Sequence, residues 1–207
     1  MSEPTTGEDE INRLHREKME RRQAARRKVL ATKTEERGLL IVHTGSGKGK
    51  TTAAFGMVLR AIGHGMRVGV VQFVKGAWGT GERTVLAGFP DLVTCRAMGE
   101  GFTWDTKDRA RDIAAAQAAW EMARAMLADP SYRLVLLDEL NIVLRYGYLP
   151  AEEIVEALKA KPRDLHVVVT GRNALPELIE AADLVTEMIL VKHPFRAGVK
   201  AQKGIEF

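Results

Sequence analysis

The chain has 207 residues, of which 45% are hydrophobic and 28% charged, and a formal net charge of +4. That suits one well-buried soluble domain, and no apolar run reaches the roughly 20 residues a membrane span requires. The acidic start MSEPTTGEDE is not a secretory signal, and the single cysteine, Cys95, cannot form an internal disulfide, so a reducing cytoplasm is the expected compartment.

Residues 1–37 read as an extension. After the acidic start, INRLHREKMERRQAARRKVL combines strong helix formers with few apolar positions. Arg16 and Glu20 lie four apart, as in a solvated helix. From Gly38 to Phe207 the texture is that of one folded domain. LLIVHT is a short apolar strand that ends in a glycine-rich loop, and KTTAAFGMVLRAIG follows with helical spacing. RVGVVQFV and DLVTCRAM are the next two strands. TKDRARDIAAAQAAWEMARAMLADP is a long helix with Thr106 as its N-cap and Pro130 as its stop, and Trp120 in its core face. YRLVLLDE is a fourth strand, PAEEIVEALKAKP a proline-bounded helix, LHVVVTG a fifth strand, ALPELIEAA a helix and DLVTEMILV a sixth strand. The basic tail KHPFRAGVKAQKGIEF is expected to add an edge strand or hairpin. Apolar β-branched runs alternating with helices predict an α/β fold with a mostly parallel sheet, helices on both faces and an N-terminal helical arm.

The stretch VHTGSGKGKTT carries the chemistry. A loop that grips phosphates needs backbone N–H groups pointing inward, and glycines permit that conformation and the close approach of the ligand. Gly45, Gly47 and Gly49 supply it, with Ser46 between the first two. Lys50 adds a mobile positive charge, Lys48 a second cation, and the following helix its positive end. Thr51 offers a hydroxyl to a magnesium (or manganese) ion, and Thr52 follows it at the helix start. Thr44 stands where the usual first glycine belongs. This departure should matter little, because the glycines nearest the phosphates remain.

LVLLDE places Asp138 and Glu139 at the C-terminal end of an apolar strand, where ligand crevices of open α/β sheets lie. A carboxylate there can hold magnesium, directly or through water. The histidines His43, His64 and His193 lack metal-ligand spacing and read as structural. Basic residues are not gathered in one block and aromatics do not interleave with them, so no dedicated nucleic-acid surface is indicated. From the residues alone, the chain binds a nucleoside triphosphate with magnesium. One fate is attack on the terminal phosphorus by an ATPase or kinase, with Glu139 activating water and Arg145 or Arg172 as a finger. A motor-type ATPase and a non-catalytic nucleotide sensor are further alternatives.

TGSGKGKTTAAFG, VGVVQFVKG, GFTW, LDELN, TGRN and VKHPFRAGVKAQKGIEF occur in this order. Over residues 38–207 they resemble the P-loop corrinoid adenosyltransferases, the ATP:cob(I)alamin adenosyltransferase family. The resemblance implies a P-loop, RecA-like fold and an unusual reaction. Co(I) of a corrinoid, cobalamin or a cobyrinic acid diamide, attacks the 5′ carbon of ATP, and the whole triphosphate leaves. By the same resemblance Gly45, Ser46, Gly47, Lys48, Gly49, Lys50, Thr51 and Thr52 hold the triphosphate. Thr51 and Glu139 contact magnesium, with Asp138 behind them, and Arg60 and Arg172 are candidates for ribose or phosphate contacts. Phe102 and Trp104 of GFTW wall the corrinoid and exclude water and the axial base from cobalt, which eases reduction of Co(II). Trp78 lies near the site or simply packs. The family also implies a homodimer, and an electron donor such as a reduced flavoprotein. The basic arm closes over the corrinoid or engages a second subunit.

Overall fold

A computed structural model describes residues 7–74, 81–97 and 108–206. The chain divides into two compact units, Met1–Glu36 and Arg37–Phe207. Among its described residues the first contains one helix, α1 (Gly7–Ala31), with no buried residue. Glu8, Asp9 and Glu10 in its first turn and Lys28 in its last complement the helix dipole. Arg13 lies 3.7 Å from Glu10 and 3.5 Å from Glu17, so ion pairs one turn apart support the solvated helix, centred on Arg13 rather than on Arg16.

The second unit is built on a parallel sheet. Its elements run β1 (Leu40–Thr44), α2 (Lys50–Gly63), β2 (Val68–Gln72), α3 (Gly81–Leu86), β3 (Val93–Ala97), α4 (Arg109–Ala128), β4 (Leu134–Asp138), α5 (Leu140–Arg145), α6 (Ala151–Lys159), β5 (His166–Thr170), α7 (Pro176–Ala181) and β6 (Leu184–Glu187). The strand order is β3-β2-β4-β5-β1-β6, and every pairing is parallel. β5 therefore stands between β1, which feeds the glycine-rich loop, and β4, which ends in the carboxylates. One strand thus separates the loop from the carboxylates.

Side chains alternate across each strand, so the two faces carry separate cores. Ile41, Val68, Val70, Leu134, Leu136 and Val168 pack under α2 against Ala54, Phe55 and Val58. Leu40, Val42, Val71, Val135, Leu137, Val167 and Val169 face the other side and pack with Ala119, Trp120, Ala123 and Leu158 of α4 and α6. Because both faces are covered, the central strands read as unbroken apolar runs.

The structure departs from the sequence-based expectation at several places. Thr106 lies outside the described residues, and the N-cap of α4 is Asp108, whose side chain accepts from Arg111 N at 3.1 Å. The short helices α3 and α5 were not expected; six residues are too few for a periodic pattern to declare itself. The sixth strand stops at Glu187 rather than Val191, and just beyond it the Met188 carbonyl accepts from Gly47 of the glycine-rich loop. The tail forms no strand among the described residues. It makes one 3-10 turn, Pro194–Ala197, capped by His193, whose Nδ1 accepts from Phe195 N at 3.1 Å.

Candidate active site

The loop between β1 and α2 is held in shape by its glycines. Gly45 and Gly49 take φ values of 96° and 101°, which side chains other than glycine's rarely adopt. At Gly47 the constraint is space: a Cβ there would lie 2.7 Å from the Met188 carbonyl oxygen. Gly47 N donates to Met188 O at 2.6 Å, and Met188 N donates to Thr44 O at 2.9 Å, so the chain beyond β6 braces the loop.

Lys50 opens α2 and is only 6% exposed. Its Nζ donates to the carbonyls of Gly45, at 3.0 Å, and of Gly47. Burial lowers its pKa, and the Glu139 charge opposes that shift. Lys48 reaches outward instead and forms an ion pair with Glu206 near the C-terminus.

Thr51 Oγ1 donates to Asp138 Oδ1 at 2.9 Å. The same carboxylate accepts from Gln72 Nε2 at 3.2 Å and from Thr170 Oγ1 at 2.7 Å. These donors end β2 and β5, the two strands flanking β4. Burial raises the Asp138 pKa, and the three hydrogen bonds work against it. Glu139 is set by a different device. It adopts the left-handed region at φ 63°, and its N–H donates to Thr170 Oγ1 at 2.9 Å. Its Oε2 is buried without a hydrogen-bond partner. Burial first, and the Asp138 charge second, push its carboxyl up to about 7.

These groups surround a cavity of about 880 Å³, within the range of small-molecule sites. Gly47 to Thr52, Gln72, Glu82, Glu139, Arg172 and Gly204 to Glu206 line it. Of the residues singled out from sequence, Asp138 lies beneath the cavity wall rather than in it. Ser46 is exposed and is not part of the lining, and Arg60 is exposed on α2, likewise outside it. Phe102, Trp104 and Trp78 lie outside the described residues. Arg145 sits near enough to lower the Glu139 pKa, after Lys50 and Arg172 in effect.

Sequence reasoning missed Gln72, Thr170 and Glu206. The first two carry a readable signal, a lone polar residue ending an apolar strand, as Asp138 does. Glu206 carries none, since nothing local marks a carboxylate 158 positions from its lysine. Among the described residues no group of three or more His, Cys, Asp or Glu could hold a metal ion by itself. Nor is any helix among them long and apolar enough to cross a membrane.

The family described as ATP:corrinoid adenosyltransferase BtuR/CobO/CobP matches residues 36–207. A corrinoid adenosyltransferase of Pseudomonas aeruginosa is 58% identical over 198 residues, covering 96% of this chain and 98% of its own length. One from Sinorhizobium is 57% identical, covering 93% and 91%. One from Escherichia coli K12 is 51% identical, covering 91% and 96%. With a glycine loop, a carboxylate pair and a cavity in the places such a fold requires, and with likeness running nearly end to end, the chain belongs to the ATP:corrinoid adenosyltransferase family.

Proposed function

We propose that the chain transfers the 5′-deoxyadenosyl group of ATP to the Co(I) centre of a corrinoid, cobalamin or a cobyrinic acid diamide. The observation that carries this choice is the family match across residues 36–207, since phosphate loops alone serve attack on phosphorus equally well. In the reaction the cobalt electron pair forms a bond to the 5′ carbon. The C–O bond breaks, its electrons pass to the departing triphosphate, and the metal rises from Co(I) to formal Co(III). No proton is moved at carbon or cobalt, so no general base is required.

The task of the protein is then to stabilise charge on the leaving group and to hold the partners in place. Lys48, Lys50 and Arg172 bring three cations to or beside one cavity wall. The loop amides and the N-terminal end of α2 add fixed partial positive charge.

The residues present fit a magnesium ion. Glu139 Oε2 is buried without a partner, and its carboxyl stays protonated until about neutral pH unless a cation compensates it. Thr51 and Glu139 would hold the ion, with Asp138 orienting the Thr51 hydroxyl. Magnesium commonly takes one or two protein ligands and completes its shell with phosphates and water, in keeping with the sparse set here. Bound there, it would neutralise triphosphate oxygens. Phe102 and Trp104 are assigned the corrinoid-facing wall, and a homodimer, a reduced flavoprotein as electron donor and a cytoplasmic setting complete the proposal.

One feature favours a rival. A carboxyl with a pKa near 7 beside a phosphate loop is what an ATPase would use to activate water. Product analysis separates the two. With ATP, magnesium and a chemically reduced corrinoid, the expected products are inorganic triphosphate and a light-sensitive alkylcobalt species. ADP and orthophosphate without alkylated corrinoid would overturn the proposal.

A further inference from the structure

Thr44 occupies the position at which the usual phosphate loop carries its first glycine, and its side chain is put to use. The residue is buried, and its Oγ1 accepts from Ala174 N at 3.0 Å. Ala174 belongs to the five-residue connection between β5 and α7, residues 171–175. That connection turns sharply. Gly171 and Asn173 both lie in the left-handed region, at φ 128° and 54°, with Arg172 between them. A second bond pins its other side: Asn141 Nδ2 donates to Gly171 O at 2.9 Å. Packing is tight at that pin, since a Cβ on Gly171 would sit 2.8 Å from Asn141 Cβ and 3.0 Å from Glu139 Oε2.

The two pins come from opposite sides. β5 is flanked by β1 and β4. Thr44 is the last residue of β1, and Asn141 lies just past the end of β4. The connection is therefore clamped from both neighbouring strands, and Arg172, the residue between the clamps, lines the cavity. Its charge is felt by Glu139 and by Lys50.

We propose that Thr44 is a positioning residue that registers Arg172 against the polyphosphate held by the glycine loop. A glycine at this position would have no hydroxyl to offer Ala174 N–H, and the clamp on the β1 side would be lost. Arginine is the side chain for which this matters, because its planar fork binds phosphate oxygens in a fixed geometry. The departure from the usual motif thus exchanges a permissive residue for a tether between the loop and a cation it does not itself carry. The inference rests on the reading above, in which the cavity takes the triphosphate of ATP.

The test is a double-mutant cycle on the full chain. Calorimetry would measure equilibrium binding of ATP and of inorganic triphosphate with magnesium, for wild type, Thr44→Val, Thr44→Ser, Arg172→Ala and Thr44→Val/Arg172→Ala. Arg172→Ala should weaken both ligands about tenfold or more, as expected for a lost charged hydrogen bond. Thr44→Val should weaken them by a sizeable part of that factor, and Thr44→Ser should remain near wild type. In the Arg172→Ala background Thr44→Val should add nothing, because its effect runs through the missing guanidinium. Should Thr44→Val fold poorly, Thr44→Ala supplies the same comparison. Multiplicative losses in the double variant, an unaffected Thr44→Val, or a Thr44→Ser as weak as Thr44→Val would each overturn the inference. A wild-type chain that binds neither ligand would instead sink the reading of the cavity.

Discussion

Thr51 Oγ1 lies 2.9 Å from Asp138 Oδ1 and donates to it, so the first turn of the helix after the glycine loop is joined to the end of the acidic strand. Thr170 and Gln72 donate to the same carboxylate. One buried acid thus ties the ends of β2, β4 and β5 to α2, and it does so directly beneath the cavity. Glu139, its neighbour, is left to line the cavity.

Asp138→Ala should therefore destabilise the fold as well as the site. It leaves two hydroxyls and an amide without their acceptor, at about 1–3 kcal/mol for a buried group left unsatisfied. For a chain of this length that corresponds to a drop of several degrees in melting temperature. An unchanged thermal midpoint would show that the network holds nothing together.

Stability without metal should depend on pH through Glu139. Its carboxyl is raised from 4.5 to about 7, mainly by burial and then by Asp138, so the folded chain holds this proton more tightly than the unfolded one. The resulting stabilisation is complete below about pH 4.5 and is lost as pH rises through about 7. In the presence of a chelator, the melting temperature should fall between about pH 5 and pH 8, and Glu139→Gln should flatten that fall. A slope that survives Glu139→Gln unchanged would place the titration elsewhere.

Lys50→Ala removes the buried cation from the loop itself. Turnover should drop at least about a hundredfold, the scale expected for a lost charge-stabilising donor. Retention of near wild-type kcat would mean that the loop amides alone suffice.

Glu206→Gln should act in the opposite sense. Glu206 is paired with Lys48, so an incoming triphosphate has to share or take over that cation. The Lys48 side chain is 48% exposed, which limits the pair to the modest worth of a surface ion pair. Glu206→Gln should tighten ATP binding by a factor of about two to five. Weaker binding would indicate that Glu206 orients Lys48 for the ligand rather than competing with it.

Trp104→Ala should impair the reaction far more when the corrinoid enters as Co(II) than when it is supplied as Co(I). Parallel assays from the two oxidation states check this, and equal losses would remove the role in reduction.

Much of this architecture could be read along the chain, because the relevant physics is local. Unbroken apolar runs such as Leu134–Leu137 and Val167–Val169 announce strands covered on both faces, and the glycines of residues 45–49 announce a backbone bent around an anion. The acidic pair at 138–139 was visible for the same reason. What decided its division of labour was packing: Asp138 faces three donors on other elements, whereas a left-handed backbone at Glu139 turns the next carboxylate to the cavity. Thr44 read as a tolerated departure until its partner, 130 residues away, was in place. The end of β6 at Glu187 and the pairing of Lys48 with Glu206 are likewise products of contacts between distant segments. Periodicity and glycine chemistry write secondary structure and the loop into adjacent residues. Hydrogen bonds that close over a hundred or more positions exist only once the sheet has brought those positions together.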